Sequence, residues 1–255
     1  MNEKGIDEKL LHSIHVKCID VFEHRFKPTM AVRVRREVTH TDVVFNLILA
    51  KSMKTARAIS VLTEKGYGED GVCLSRSLFE NFVHLAYMAK EETPHRAMLF
   101  LKHGELEYLK SIEGLPGNPT SNATRIAELE NIFLEESTRI REKHPEIKHK
   151  KPTWSTMSLK QLSGIVGEDS QYKKLYSFMS QYSHPHAEGL RGYAFESEFS
   201  DLPGPSMVEE TLVFSISFLI QTLTLINNYY GYGLEIYLED LNMAHHRALN
   251  EASDD

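Results

Sequence analysis

Two groups of chemically capable side chains recur at a spacing of four. Arg76, Glu80 and His84 lie in RSLFENFVHLAYMAK, and Tyr176, Ser180 and His184 lie in YKKLYSFMSQYSHPH. Residues four apart share a helix face, so each segment turns a line of ionisable or hydroxyl groups toward one surface. A guanidinium grips phosphate or carboxylate oxygens, and an imidazole moves a proton near neutral pH. Arg76, Glu80, Tyr176, Ser180 and His184 are therefore the leading catalytic candidates, with His84 behind them. His184 precedes Pro185, where a helix must break, and the negative end of the helix dipole there favours an imidazolium. Each group also has a plainer reading. Arg76 and Glu80 form an i, i+4 ion pair that fixes helix register, and His184 caps the last carbonyls.

At about 100° per residue, Cys73, Arg76, Glu80, His84 and Tyr87 fall in one narrow sector. Val72, Leu74, Leu78, Phe79, Phe82, Val83 and Leu85 fill most of the rest. A helix so apolar is expected to be surrounded by others, with its charges buried and paired.

The elements that must position these groups are helices, because the three-to-four period dominates and useful strand alternation is absent. Ile6, Leu10, Ile14, Cys18, Phe22 and Phe26 draw the face of a first helix closed by Pro28. Thr41 and Asp42 offer an N-cap to a second helix ending at Gly66. A third covers about 70–90, and a fourth runs from Thr93-Pro94 to about Ile112. GLPGNPTSN at 114–122 breaks the pattern. A polar helix over about 123–143 follows, then a short one capped by Ser158 and another from Asp169 or Ser170 to His184. Two C-terminal helices, about 207–230 and 234–250, complete an all-α bundle of seven to nine helices, read as a single helical domain over 1–255 with a C-terminal hairpin.

With 255 residues, 41% hydrophobic, 25% charged and a net charge of -7, the chain reads as an ordinary globular protein rather than one that grips nucleic acid over its whole surface. Cys18 and Cys73 are only two and widely spaced, which predicts reduced core thiols and a cytoplasmic location. The N-terminus lacks the pattern of a signal peptide. The greasiest stretch, LVFSISFLIQTLTLI at 212–226, is interrupted by Ser, Gln and Thr and falls short of the roughly 20 residues a spanning helix needs, so a core helix and no membrane contact are expected. Walker loops, dinucleotide fingerprints and Cys-pair zinc motifs are absent, so no cofactor is expected.

Arg76 and Glu80, followed by Trp154, Tyr172, Tyr176, Ser180 and His184, resemble a bacterial helical family of unknown function whose members show R-x-x-x-E on an early helix and W…Y-x-x-x-Y-x-x-x-S-x-x-x-H near the end. The resemblance spans about residues 40–195. It implies helical structure, a bacterial source and a grouping of the two polar lines. A broader resemblance is to HEPN-type domains, many of them ribonuclease toxins or defence effectors that act as dimers through an R-x4-6-H motif. That likeness implies a homo-oligomer and metal-independent RNA cleavage, with Arg stabilising phosphate charge and His moving a proton as the 2′-hydroxyl attacks. Arg33–His40, Arg35–His40, Arg96–His103 and Arg139–His144 fit the motif's spacing, and about two such pairs arise by chance in this composition. Arg96 and His103 are the best placed, seven apart on one helix face, although Ala97 replaces the usual polar neighbour.

Two further readings remain. Glu80 and His84 with His184 and His186 make a mixed carboxylate and imidazole set suited to a metal, against which Arg76 would repel a cation. The basic run at 139–151 holds Arg139, Arg141, Lys143, Lys148, Lys150 and Lys151 near His144, His149 and Trp154. It is either an RNA-contact surface or a solvated loop. The functional expectation is a HEPN-like RNA-cleaving effector. A non-catalytic binding module and a metal-binding bundle are its alternatives.

Overall fold

The computed structural model describes residues 6–33, 37–113, 122–145, 153–183, 190, 194–195, 198–199 and 202–251. Asp7 caps α1, Glu8–Val21, by accepting from the Lys9 and Leu10 amides. A five-residue π-turn, Phe22–Phe26, then leads into α2, Lys27–Arg33. The helix therefore does not close at Pro28 as predicted. Proline lacks the N–H owed to the carbonyl four residues back and its ring crowds that group. The widened turn lets the chain pass this defect, with the Lys27 amide reaching five residues back to Phe22 O.

Helix α3 spans His40–Glu64, and its cap is Thr39 rather than Thr41 or Asp42. The Thr39 hydroxyl accepts from the Asp42 amide at 3.2 Å while the Asp42 carboxylate accepts from the Thr39 amide at 2.9 Å, a reciprocal capping box. Helix α4, Gly68–Lys90, is followed by α5, Thr93–Ile112, whose cap is Glu92 in a left-handed conformation, φ 50°. Helix α6 covers Ala123–Lys143, and α7, Leu159–Val166, is capped by Ser158 as expected and stopped by Gly167 at φ 91°. A second interrupted run joins α8, Asp169–Gln171, through a π-turn at Tyr172–Tyr176 to α9, Ser177–Tyr182. Helices α10, Val208–Tyr230, and α11, Glu235–Glu251, end the fold. A two-residue antiparallel ladder pairs β1, Ala194–Phe195, with β2, Glu198–Phe199. Counting each π-interrupted run once gives nine helices among the described residues, an all-α multi-helix bundle.

Helix α10 lies at the centre of this bundle. By length and composition it could cross a membrane, yet Leu212, Ile216, Phe218, Leu219, Leu223 and Ile226 are buried, and α1, α3, α4 and α11 pack around it. Each such side chain contributes roughly 1.5–3 kcal/mol on leaving water. Phe79 of α4 meets Phe218 of α10 at 5.2 Å between ring centroids. Near the start of both helices the backbones almost touch. A Cβ on Gly68 would sit 2.2 Å from Ser206 O, and the Thr211 hydroxyl donates to Gly68 O at 2.8 Å. The order of these contacts shows that α4 and α10 run parallel.

Candidate functional site

Helix α4 packs against α9, so the two polar lines meet where they carry Arg76 and Tyr176. Arg76 Nε donates to Glu80 Oε1 at 3.1 Å and Arg76 Nη2 donates to Tyr176 Oη at 2.6 Å. The phenol in turn donates to Glu80 Oε1 at 3.1 Å, closing a triangle. The guanidinium carbon stands 4.6 Å from the Tyr176 ring centre, and Tyr172 stacks behind that ring at 4.8 Å. Tyr176 reaches this position as the last residue of the π-turn. Burial, then the Glu80 carboxylate, pushes its phenol pKa up, so it remains a donor.

The triangle is not buried as expected. The side chains of Arg76 and Glu80 keep 23% and 36% of their surface exposed. Most of the apolar residues of α4 are covered, while Arg76 and Glu80 stay partly exposed where α4 packs on α9. Among the described residues no side chain takes Arg76 Nη1, so the guanidinium has an anchored side and an open one. Cys73 lies one turn earlier and half buried. Burial raises its thiol pKa, an effect the nearby Ser183 hydroxyl opposes. Sequence reasoning missed Ser183, which shows that the end of α9 lies beside the first turns of α4.

The other predicted residues are placed differently. The Ser180 hydroxyl donates to Tyr176 O of its own helix at 2.7 Å. His184 and His186 lie outside the described residues. His84 leaves the triangle and packs against Trp154 and Phe100, with ring centroids 5.4 and 6.3 Å away. Its Nδ1 is buried without a partner among the described residues, and burial, then the Lys51 charge, holds its pKa down to about 4. The segment that covers it, Trp154 to Met157, is itself buried and carries Thr156 at φ 55°.

Arg96 is 4% exposed and serves the corner between α4 and α5. It donates to Glu91 at 2.6 Å and to the Tyr87 carbonyl, with its guanidinium 3.8 Å from the Tyr87 ring centre. His103, the proposed motif partner, packs edge-on against Phe133 of α6 at 5.3 Å. Arg139 is bidentate to Glu92 and also bonds Glu136, while Lys143 bonds Glu91. Arg139 and Lys143 of the basic run thus join α6 to the α4–α5 corner, Arg141 between them is exposed, and residues 146–152 lie outside the described residues. So does Arg35, and of Arg33 only the backbone is described. Among the described residues no group of three or more His, Cys, Asp or Glu is placed to hold a metal. Glu80, common to both site readings, is shared between Arg76 and Tyr176.

A polar cluster that sequence reasoning missed lies inside the core. His15 of α1 bonds Ser60 of α3 at 2.9 Å and Ser215 of α10 at 2.7 Å. Burial, then His12, lowers its pKa to about 4. These residues are up to 200 positions apart, so no local spacing could have joined them.

Over residues 42–201 the chain matches, and belongs to, a family of unknown function, DUF5677. That span holds both sides of the Arg76 triangle and omits α1, α10 and α11. No curated protein and no solved structure matches the chain.

Proposed function

We propose, with that family membership as premise, that the protein is a HEPN-like, metal-independent RNA-cleaving effector of the defence or toxin type. It works as a homodimer in a bacterial cytoplasm and holds a phosphate of its substrate at Arg76. The observation that carries this reading is the half-open guanidinium. Glu80 and Tyr176 fix its plane on one side, so it meets an anion without first losing side-chain freedom, and its open edge offers N–H donors suited to phosphate oxygens. As charge builds on the phosphate during attack by the 2′-hydroxyl, a fixed cation stabilises it. His184 is the residue assigned to proton transfer, on the sequence argument alone.

The test is degradation of single-stranded RNA by purified protein in EDTA. We expect cleavage by the wild type, and its loss in Arg76→Ala and in His184→Ala. Intact RNA with the wild type, or undiminished cleavage by both variants, overturns the reading. A second reading, a non-catalytic module that binds a phosphate-bearing partner, is favoured by one feature. Glu80 and Ser180 are both engaged by neighbours, so neither is free to act as base or nucleophile. RNA binding that depends on Arg76, without cleavage, would support that alternative.

A further inference from the structure

Trp154 packs against three rings, His84 and Tyr87 of α4 and Phe100 of α5, at 5.4, 5.7 and 5.3 Å between centroids. The chain that carries it, Trp154 to Met157, is buried although it belongs to no helix. Buried loops are unusual because their polar groups leave water without a regular ladder to join. Here the cost is visible. Trp154 Nε1, Thr156 Oγ1 and His84 Nδ1 are all buried without a partner among the described residues. Thr156, a β-branched residue, is held in the left-handed region at φ 55°. The hydrogen bonds printed on this stretch stay inside it. The Thr156 amide donates to Thr153 O at 3.0 Å, and the Thr153 and Ser155 hydroxyls donate to Met157 O at 3.2 and 3.3 Å. Among the described residues no hydrogen bond ties Thr153 to Met157 to α4 or α5. The stretch is a self-bonded unit, held on the helices by packing and opposed by strain and unpaired polar atoms.

The group beneath Trp154 has a use. His84 lies one turn past Glu80 on the same face of α4, and Glu80 gives only Oε1 to Arg76 and Tyr176. Its Oε2 takes no hydrogen bond among the described residues, so a released imidazole has a carboxylate one turn away to orient it. We infer that Trp154 is an autoinhibitory plug, which withholds His84 from the Arg76 and Glu80 site until Thr153 to Met157 lifts as a unit. The use made of His84 rests on the RNA reading, whereas the plug does not. Attack of a 2′-oxygen on phosphorus forms one P–O bond and breaks the bond to the 5′-oxygen, so one group must take the 2′ proton and another must give one to the departing oxygen. His84 joins His184 as the second of these.

The test is exchange of the indole N–H of Trp154, the single tryptophan, with deuterated solvent, followed by NMR on the full chain without RNA. A plug that lifts locally should exchange at least about a hundredfold faster than the slowest amides of α10, at a rate insensitive to low urea. Exchange at the α10 rate with the same urea dependence would overturn the inference, because Trp154 would then leave only on global unfolding. That measurement needs no variant, so it decides even if Trp154→Ala fails to fold. In folded Trp154→Ala, His84 should titrate well above its value of about 4, though short of 6.5 because the Lys51 charge of α3 remains. A value still near 4 would overturn the inference too, since the helices rather than Trp154 would then withhold the imidazole. With RNA, Trp154→Ala should cleave several-fold faster than the wild type and His84→Gln at least about tenfold slower. Cleavage by the wild type that neither substitution alters would refute autoinhibition. A wild type that cleaves nothing would end the RNA reading alone, and the indole and His84 measurements would still decide the plug.

Discussion

Arg76 and Arg96 are built from the same parts and put to different use. Each guanidinium lies over a tyrosine ring, at 4.6 and 3.8 Å, and each bonds a glutamate. Arg96 draws its partners from nearby in the chain, Tyr87 nine residues away and Glu91 five, and its guanidinium is buried while Glu91 stays at the surface. Arg76 takes Tyr176 from a helix 100 residues away and stays partly open. A local cluster around a buried guanidinium braces a turn. One assembled from distant segments and left open to solvent can meet something else. Similar contacts thus separate into brace and candidate site once exposure and chain distance are known.

The contrast predicts unequal responses. Arg96→Met should cost the most, about 3 kcal/mol in urea unfolding, because it removes a buried side chain and leaves the Tyr87 carbonyl without its donor. An equal loss for Arg76→Met would erase the distinction. Between the two regions stands His84, whose pKa is about 4 in the fold against an ordinary value of 6.5. Between those values the unfolded chain binds more protons than the folded one. The contribution is therefore complete above pH 6.5 and shrinks as pH falls toward 4, by on the order of 2–3 kcal/mol. Trp154, the single tryptophan, reports it directly. Its emission should stay level from pH 8 to 6 and drop with a midpoint near 4, and His84→Phe should abolish that step. Arg76→Met should cost about 1 kcal/mol or less, as for other partly exposed pairs, while abolishing RNA cleavage. Tyr176→Phe should change stability least, by about 0.5 kcal/mol, yet raise the KM for RNA, because the guanidinium loses one of the two groups that hold it. A Tyr176→Phe protein with unaltered kinetics would remove the phenol from the site.

Helical periodicity made most of the fold legible, since the long helices bury one face, and α1, α3 and α7 also begin at capping side chains. The exceptions have local causes. Thr39 caps α3 because Asp42 stands three residues on to return the hydrogen bond, a T-x-x-D pattern visible in the sequence but passed over for its neighbours. Pro28 is a poor stop because a π-turn before it reroutes the lost bond. Within the site, the spacing of Arg76 and Glu80 was enough to pair them, and the line through Tyr176 named its partner. The openness of that pair was not legible. A helical wheel treats α4 alone, whereas coverage is decided by segments far along the chain. Trp154 packs on the His84 ring and leaves Arg76 outside, which is why a single polar line divides into an imidazole whose Nδ1 is buried and a guanidinium that stays partly exposed.

The near-contact at Gly68 makes the parallel α4–α10 pair a lever with its fulcrum at one end. Phe82 lies 14 positions beyond Gly68, which at about 1.5 Å per residue is an arm of roughly 20 Å. Gly68→Ala would push the fulcrum apart by forcing a methyl against Ser206 and Met207. The displacement would be transmitted along two stiff rods, so the spacing of the helices beside Phe82 would change although no residue there had been altered.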